Sequence, residues 1–250
     1  FRCNGMARKT ISLIKTAALR ISGDLLDLFY PDACSVCGTT LKGEGVCGVC
    51  FGSIPFISPD RCIKCGKQLE PWSGECSRCN ECRTVHYYFR KTYALCRYGE
   101  PVRKMIRGFK YGKDFSLVPA FRRIIRGGIP FHGITGYECV VPVPLHVTDR
   151  VRRGFNQSAL FAEYASAIMD TPFLRVLRKK HRTHTQVSLS RAQRKKNLKG
   201  AFTCSKNSLS GKTVLLVDDV FTTGSTLSEC AETLRKQGGA SRVDTLVIAR

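Results

Sequence analysis

The sequence predicts an α/β protein with a doubly wound, mainly parallel sheet, preceded by a small cysteine-rich domain. Two observations support this prediction. Nine cysteines lie between positions 34 and 82, mostly in CxxC pairs. After position 82, short apolar runs alternate with helical apolar stripes, as in proteins built from strand–helix–strand units. We therefore divide the chain into residues 1–31 (an amphipathic helix and linker), 32–90 (the cysteine-rich domain) and 91–250 (the α/β domain).

The overall composition is that of a globular protein. Of 250 residues, 43% are hydrophobic and 24% are charged, which excludes a disordered chain. No run of about 18 apolar residues occurs, so a membrane-spanning helix is excluded from the sequence alone. Residues 11–30 are apolar but carry four charged residues, and no small-residue cleavage site follows them. We expect an amphipathic helix here and a cytoplasmic location.

The cysteine spacing predicts two metal sites. A CxxC turn directs two thiolates at one tetrahedral ion, whereas a disulfide framework does not need this spacing. Four such pairs predict a double zinc ribbon with two structural zinc ions; an iron–sulfur cluster is the alternative, since thiolates also bind iron. Sequential pairing closes the shortest loops, and one cysteine of the last group is surplus. The pairs are Cys34/Cys37, Cys47/Cys50, Cys62/Cys65 and two of Cys76, Cys79 and Cys82.

The α/β domain is predicted from its apolar periodicity. Apolar runs indicate strands, and apolar residues spaced three and four apart indicate helices. In chain order we expect a strand at 92–97, a helix at 101–110, strands at 139–143 and 214–217, and a last strand at 244–248. Two further helices are expected, one around 160–168 and one at 227–234. A Gly-Gly pair at 238–239 ends the second of these helices.

The charge predicts a polyanionic partner. Forty-one Lys and Arg against 19 Asp and Glu give a formal charge of +22, which is costly in self-repulsion unless a polyanion is bound. Residues 175–199 include ten basic residues and no acidic one. A solvated basic loop is the alternative, but we expect single-stranded DNA to bind here without strong sequence preference. The predicted contacts are Arg191, Arg194, Lys195 and Lys196, with Lys110 as a fifth.

A sugar-phosphate site is predicted at the end of the strand at 214–217. Asp218 and Asp219 follow this strand, and a hydroxyl-rich turn, residues 222–226, then opens a helix. Amides at a helix N-terminus bind one phosphate well, and two carboxylates suit a vicinal diol. A nucleoside triphosphatase is excluded, because Lys206 stands where the first glycine of its loop belongs and the strand follows that loop. A simple helix cap remains as the non-functional alternative.

Residues 214–226 resemble the phosphoribosyl-pyrophosphate signature of type I phosphoribosyltransferases. Together with the preceding cysteine pairs, this segment resembles the ComF/GntX family, which is associated with DNA uptake in natural competence. Other matching segments are Tyr98-Gly-Glu-Pro-Val, Phe109-Lys-Tyr111, Val141-Pro-Val-Pro144, Arg152-Arg-Gly-Phe-Asn-Gln157, and Arg191-x-x-Arg194-x-x-Asn197-x-x-Gly200-Ala-Phe202. The resemblance spans roughly residues 32–250.

The resemblance implies a role for each matching residue. Asp218 and Asp219 would be catalytic and hold the ribose hydroxyls, and the 142–144 segment would lie where pyrophosphate binds, with Arg152 and Arg153 nearby. Mg²⁺ would accompany phosphoribosyl pyrophosphate, and residues 182–199 would form the mobile loop. Family spacing to Tyr98 favours Cys79 and Cys82 as the last metal pair. The 5-phosphate would bind to Thr222, Thr223, Gly224, Ser225 and Thr226.

One departure affects the expected function. Purine-salvage enzymes that resemble this loop carry an acidic residue where this chain has Thr222, so purine salvage is not expected. Three hypotheses follow. The chain binds phosphoribosyl pyrophosphate and single-stranded DNA during DNA uptake; it is an active phosphoribosyltransferase of nucleotide metabolism; or it senses phosphoribosyl pyrophosphate and docks a competence helicase.

Overall fold

The structure, a computed structural model, describes residues 33–41, 43, 45–70, 78–180 and 198–250. The predicted N-terminal helix lies outside these residues. So do the predicted DNA contacts at 191–196 and the surplus Cys76. Within the described residues, no helix combines the length and the apolar character needed to cross a membrane.

Seven α-helices and six strands are used here, numbered in chain order within the described residues. The helices are α1 (Gly48–Gly52), α2 (Asn80–Arg83), α3 (Val102–Arg107), α4 (Val118–Phe131), α5 (Val147–Arg153), α6 (Gln157–Met169) and α7 (Ser225–Lys236). The strands are β1 (Thr92–Cys96), β2 (Cys139–Pro142), β3 (Leu177–Lys179), β4 (Phe202–Cys204), β5 (Thr213–Val220) and β6 (Arg242–Ala249). A π-helical turn, Gly108–Gly112, extends α3, and a 3₁₀ turn, Phe115–Leu117, precedes α4.

Four strands form a parallel sheet in the order β1-β6-β5-β2. β5 lies inside the sheet, between β6 and β2, so its carboxyl end is flanked by strands on both sides. Strands β3 and β4 pair antiparallel as a separate two-stranded sheet. This arrangement confirms the predicted α/β class with a mainly parallel sheet.

The sheet is covered on both faces, because successive side chains of a strand point to opposite sides. Along β5, Val214 and Leu216 pack into one core with α7. Leu215 and Val217 pack into the other core, with α4 and α6. All four side chains are fully buried. The helices therefore hold β5 rigidly, and its carboxyl end is a fixed platform.

The elements differ in detail from those expected. β5 is longer than the predicted 214–217, because Asp218 and Val220 continue the ladder with Val247 and Ala249 of β6. The helix expected over 101–110 is α-helical only to Arg107 and then widens into the π-helical turn. Helices α4 and α5 and the β3–β4 pair were not predicted from the sequence.

Candidate phosphoribosyl site and cysteine groups

The loop between β5 and α7 combines a glycine N-cap with neighbouring hydroxyl side chains. Gly224 is the N-cap of α7 and has a left-handed backbone, with φ +74°. The hydroxyls of Thr223 and Ser225 lie 2.9 Å apart, and the Ser225 amide donates to Thr223 Oγ1 at 3.4 Å. The amides of the first turn of a helix lack partners within that helix. The loop therefore brings the hydroxyls of Thr223 and Ser225 together at the N-terminus of α7.

An aromatic cluster joins the loop to a distant segment of the chain. The Tyr87 ring stacks on Phe89 at 4.8 Å between centroids, and Phe221 contacts both rings edge-on. Tyr87 Oη donates to the carbonyl of Thr223 at 3.1 Å. All three rings are buried in the core that also contains Cys62, Cys65, Cys79 and Cys82. The end of the cysteine-rich domain thus packs against the loop between β5 and α7 and holds its backbone at Thr223.

The two adjacent carboxylates have different surroundings. Asp218 Oδ1 accepts hydrogen bonds from Ser158 Oγ at 2.7 Å and from the Asp219 amide at 2.9 Å. Asp219 Oδ2 pairs with the ammonium of Lys110 at 2.6 Å. Asp218 lines a small pocket with Thr222 and other loop residues, whereas Asp219 does not. Asp218 therefore lines the pocket beside the loop between β5 and α7.

Burial sets the protonation of this pair. Desolvation and the neighbouring charge of Asp219 raise the pKa of Asp218 to about 7, against a smaller lowering by Ser158 and Lys110. Burial opposes the charge of Lys110, but the carboxylate of Asp219 outweighs this and leaves the pKa of Lys110 raised. Burial and the neighbouring carboxylate therefore favour the protonated form of Asp218.

Arg152 and Arg153, predicted together, lie in different places. Arg152 is exposed and lies 3.6 Å from Asp149 on its own helix. Arg153 places its guanidinium 5.5 Å from the centre of the Tyr111 ring and donates to Gln157 Oε1 at 3.4 Å. Arg153 Nε and Gln157 Nε2 are buried and have no hydrogen-bond partner among the described residues. Arg153 and Gln157 thus offer unpaired donors, whereas Arg152 is directed to solvent.

The predicted pyrophosphate segment lies next to the dyad. β2 ends at Pro142, and the amide of Val143 donates to the carbonyl of Val217 at 2.9 Å. Asn156 Nδ2 holds the carbonyl of Val143 at 3.0 Å. The 142–144 segment and the start of α6 therefore meet beside the end of β5, where the sequence analysis expected the leaving group.

The cysteines of the N-terminal domain form two groups of four. Within each group the sulfur atoms all lie within 4.8 Å of one another. Measured edges are 3.8 Å for Cys37–Cys47 and 3.7 Å for Cys65–Cys79. A tetrahedron with Zn–S bonds of about 2.3 Å has edges of about 3.8 Å, so both groups fit zinc. The groups are Cys34, Cys37, Cys47 and Cys50, and Cys62, Cys65, Cys79 and Cys82.

The two cysteine groups differ in burial. All four residues of the second group are buried, and they belong to the same core as Tyr87 and Phe221. In the first group Cys37 is exposed. The first group rests on the segment after the π-helical turn, since Ser35 Oγ donates to Asp114 Oδ2 at 2.6 Å. The second group is part of the α/β core, and the first lies at its surface.

Comparison with known proteins identifies both parts of the chain. Residues 25–83 match the model of the double zinc ribbon domain, and residues 124–250 match that of the phosphoribosyl transferase domain. The chain is 35% identical to "Competence protein F" of Haemophilus influenzae over 77% of this chain and 91% of that protein. The chain belongs to the ComF/GntX family.

Other relatives within the ComF/GntX family share most of the chain. "DNA utilization protein YhgH" of Escherichia coli is 29% identical over 86% of this chain and 95% of that protein. "Competence protein ComFC" of Bacillus subtilis is 26% identical over 83% of this chain and 85% of that protein. A solved structure titled "Structure of the allosteric regulatory enzyme of purine biosynthesis" matches 51% of this chain and 25% of that chain, at 20% identity and a TM-score of 0.36. That likeness is too weak to carry an argument.

The sequence analysis missed several residues that the fold brings to the site. Ser158 donates a hydrogen bond to Asp218. Gln157 accepts a hydrogen bond from Arg153, and Tyr87 donates one to the loop at Thr223. Ser158 directly follows the Arg152–Gln157 segment that carries the ComF/GntX resemblance, so that segment was the available signal. Lys110, predicted as a DNA contact, is held by Asp219 inside the site.

Proposed function

We propose that this protein binds phosphoribosyl pyrophosphate with Mg²⁺ at the end of β5, binds single-stranded DNA, and acts in the cytoplasm in DNA uptake or processing. The central observation is that one buried strand delivers a carboxylate pair and the N-terminus of α7 to the same edge of the sheet. The names of the relatives, which refer to competence and to DNA utilization, support the biological role.

The geometry supports a specific binding mode. The 5-phosphate would accept hydrogen bonds from the first turn of α7 and from the hydroxyls of Thr223 and Ser225. The ribose hydroxyls would donate to Asp218, which faces the pocket. Pyrophosphate would satisfy the unpaired donors of Arg153 and Gln157. When bound, Mg²⁺ would neutralise charge on pyrophosphate and ribose oxygens.

We propose one structural zinc ion in each cysteine group. The sulfur–sulfur edges fit a zinc tetrahedron, and the family includes a double zinc ribbon. The thiolates of each group would hold the metal, whose binding energy would stabilise a domain too small to fold on an apolar core. Purified protein should therefore contain about two zinc ions per chain by elemental analysis; protein without zinc would contradict this part.

The DNA proposal rests on charge. Arg191, Arg194, Lys195 and Lys196 belong to a basic run in a chain of net charge +22. Each lysine or arginine that neutralises a phosphate releases a counterion, so binding weakens with salt in proportion to the number of contacts. Neutralising all four should reduce affinity for a single-stranded oligonucleotide and flatten its salt dependence. An unchanged slope would exclude this run as the contact surface.

The test of the ligand site is a calorimetric titration with phosphoribosyl pyrophosphate and Mg²⁺. The wild-type protein should bind, and Asp218→Asn with Asp219→Asn should bind about a hundredfold more weakly or worse, since each charge-assisted hydrogen bond is worth roughly 1.5–3 kcal/mol. Arg152→Gln is the matched control for Arg153→Gln, because Arg153 has a buried donor without a partner among the described residues, whereas Arg152 is exposed. Equal losses in both arginine variants would contradict the binding mode.

A further inference from the structure

The π-helical turn Gly108–Gly112 sends three consecutive side chains in three directions. Phe109 is buried, with its ring centroid 4.8 Å from that of Phe155. Lys110 reaches Asp219, and Tyr111 is 65% exposed. π-helical turns are rare and are found frequently at functional sites. Because Phe109 anchors the turn in the core, the direction of Lys110 is fixed.

The contact between Lys110 and Asp219 is largely shielded from water. Asp219 is only 7% exposed, and 23% of the Lys110 side chain is exposed. Both oxygens of Asp219 are engaged, since Oδ2 pairs with Lys110 and Oδ1 accepts from the Val220 amide at 3.0 Å. Asp219 therefore is not free to accept from a ligand in the way that Asp218 is.

We propose that Lys110 is a positioning residue of the phosphoribosyl site, which fixes Asp219 and offsets its charge and thereby favours the ionised form of Asp218 that accepts the ribose hydroxyls. This inference rests on the proposed function, because it concerns the same ligand. It assigns Lys110 to the sugar-phosphate site and not to the DNA-contact surface. It also divides the carboxylate pair: Asp218 contacts the ligand, and Asp219 links Asp218 to Lys110.

The affinity for phosphoribosyl pyrophosphate should depend on pH. The titratable groups that influence Asp218 are Asp219, Lys110 of the π-helical turn, Lys179 of β3 and the buried Cys230 of α7. An ionised carboxylate accepts from a hydroxyl more strongly than a protonated one. Affinity should therefore rise as the pH increases through the pKa of Asp218, about 7. Removal of the Lys110 charge raises that pKa further and moves the rise to higher pH.

The test compares three variants of the full chain. Lys110→Met removes the charge, Lys110→Arg keeps it, and Lys113→Met removes a charge from the exposed residue that ends the same turn. The probe is phosphoribosyl pyrophosphate with Mg²⁺, titrated by calorimetry from pH 6 to pH 9. Titration of the ligand's own phosphates affects all variants equally, so differences between variants report on the protein.

The expected result is a pH-dependent loss specific to Lys110→Met. This variant should bind about tenfold or more weakly at pH 7 and recover toward wild-type affinity as the pH rises. Lys110→Arg, which keeps the charge, should bind better than Lys110→Met at pH 7 and show a smaller pH-dependent loss, and Lys113→Met should follow the wild-type profile. A Lys110→Met profile equal to that of the wild type would overturn the proposal, and so would a loss that is the same at every pH. A wild-type protein that binds no phosphoribosyl pyrophosphate would instead refute the proposed function.

Lys110→Met must also be compared with the wild type for binding of a single-stranded oligonucleotide. The proposal expects an unchanged salt slope, because the ammonium faces Asp219. A flatter slope together with unchanged phosphoribosyl-pyrophosphate binding would overturn the proposal and assign Lys110 to the DNA contact.

Discussion

Gly224→Ala tests whether the aromatic cluster sets the shape of the phosphate loop. Gly224 has φ +74°, a conformation in which a side chain is strained. An added Cβ would lie 2.4 Å from Phe221 Cζ and 2.8 Å from Tyr87 Cε1. Both distances are far below normal carbon contacts, so at least one ring must move. Movement of Tyr87 would remove its hydrogen bond to the carbonyl of Thr223.

Two separate costs determine how much the free energy of unfolding falls in Gly224→Ala. A left-handed backbone costs a non-glycine residue about 1–2 kcal/mol. Overpacking in a well-packed core costs about 1–3 kcal/mol. The free energy of unfolding should therefore fall by roughly 2–5 kcal/mol in Gly224→Ala. Because the loop changes shape, affinity for phosphoribosyl pyrophosphate should fall by about tenfold or more.

Gly211→Ala is the matched control. Gly211 also has φ +74°, but a Cβ there would meet nothing within 4 Å. This variant should lose only the backbone cost, about 1–2 kcal/mol, and should bind the ligand normally. Urea unfolding measures stability and calorimetry measures affinity. Equal destabilisation of both variants, or normal ligand affinity in Gly224→Ala, would refute the reasoning.

Other predictions concern the cysteine groups and a buried carboxylate. Cys37→Ser, in the first group, should reduce the zinc content by one ion and leave ligand affinity nearly unchanged. Cys65→Ser, in the second group, should lower ligand affinity because that group shares a core with Tyr87. Elemental analysis and calorimetry distinguish these outcomes, and identical behaviour of the two variants would contradict the assignment. Asp244 is fully buried and accepts two hydrogen bonds from Arg90. Asp244→Asn should lower the free energy of unfolding by about 1–3 kcal/mol, as measured by urea unfolding. The loss is limited because Arg90 is half-exposed and can be solvated. An unchanged midpoint of urea unfolding would contradict this prediction.

The strands of the sheet were predictable because they are buried on both faces and form continuous apolar runs. The prediction was wrong about the end of β5, because polar Asp218 reads as a strand terminus while its backbone continues the ladder with β6. Helix α4 was missed because Gly127, Gly128 and Pro130 look like helix breakers. Its buried face, which includes Phe121, keeps it helical.

The site was predictable only where it is local in the sequence. Asp218 and the turn at 222–226 lie within nine residues of one another, so one motif contains them. Lys110 and Ser158 reach the dyad from separate segments, 109 and 60 residues away in sequence, and no local pattern joins them. Arg152 and Arg153 were indistinguishable in sequence, and their positions at the end of α5 direct Arg152 to solvent and Arg153 toward Tyr111 and Gln157.

The central claim is that the end of β5 binds phosphoribosyl pyrophosphate, and one calorimetric titration tests it most directly. Wild-type protein with Mg²⁺ should bind the ligand, and the variant with Asp218→Asn and Asp219→Asn should bind it on the order of a hundredfold more weakly while it keeps its zinc. Absence of binding by well-folded wild-type protein, or equal binding by both proteins, would contradict the claim.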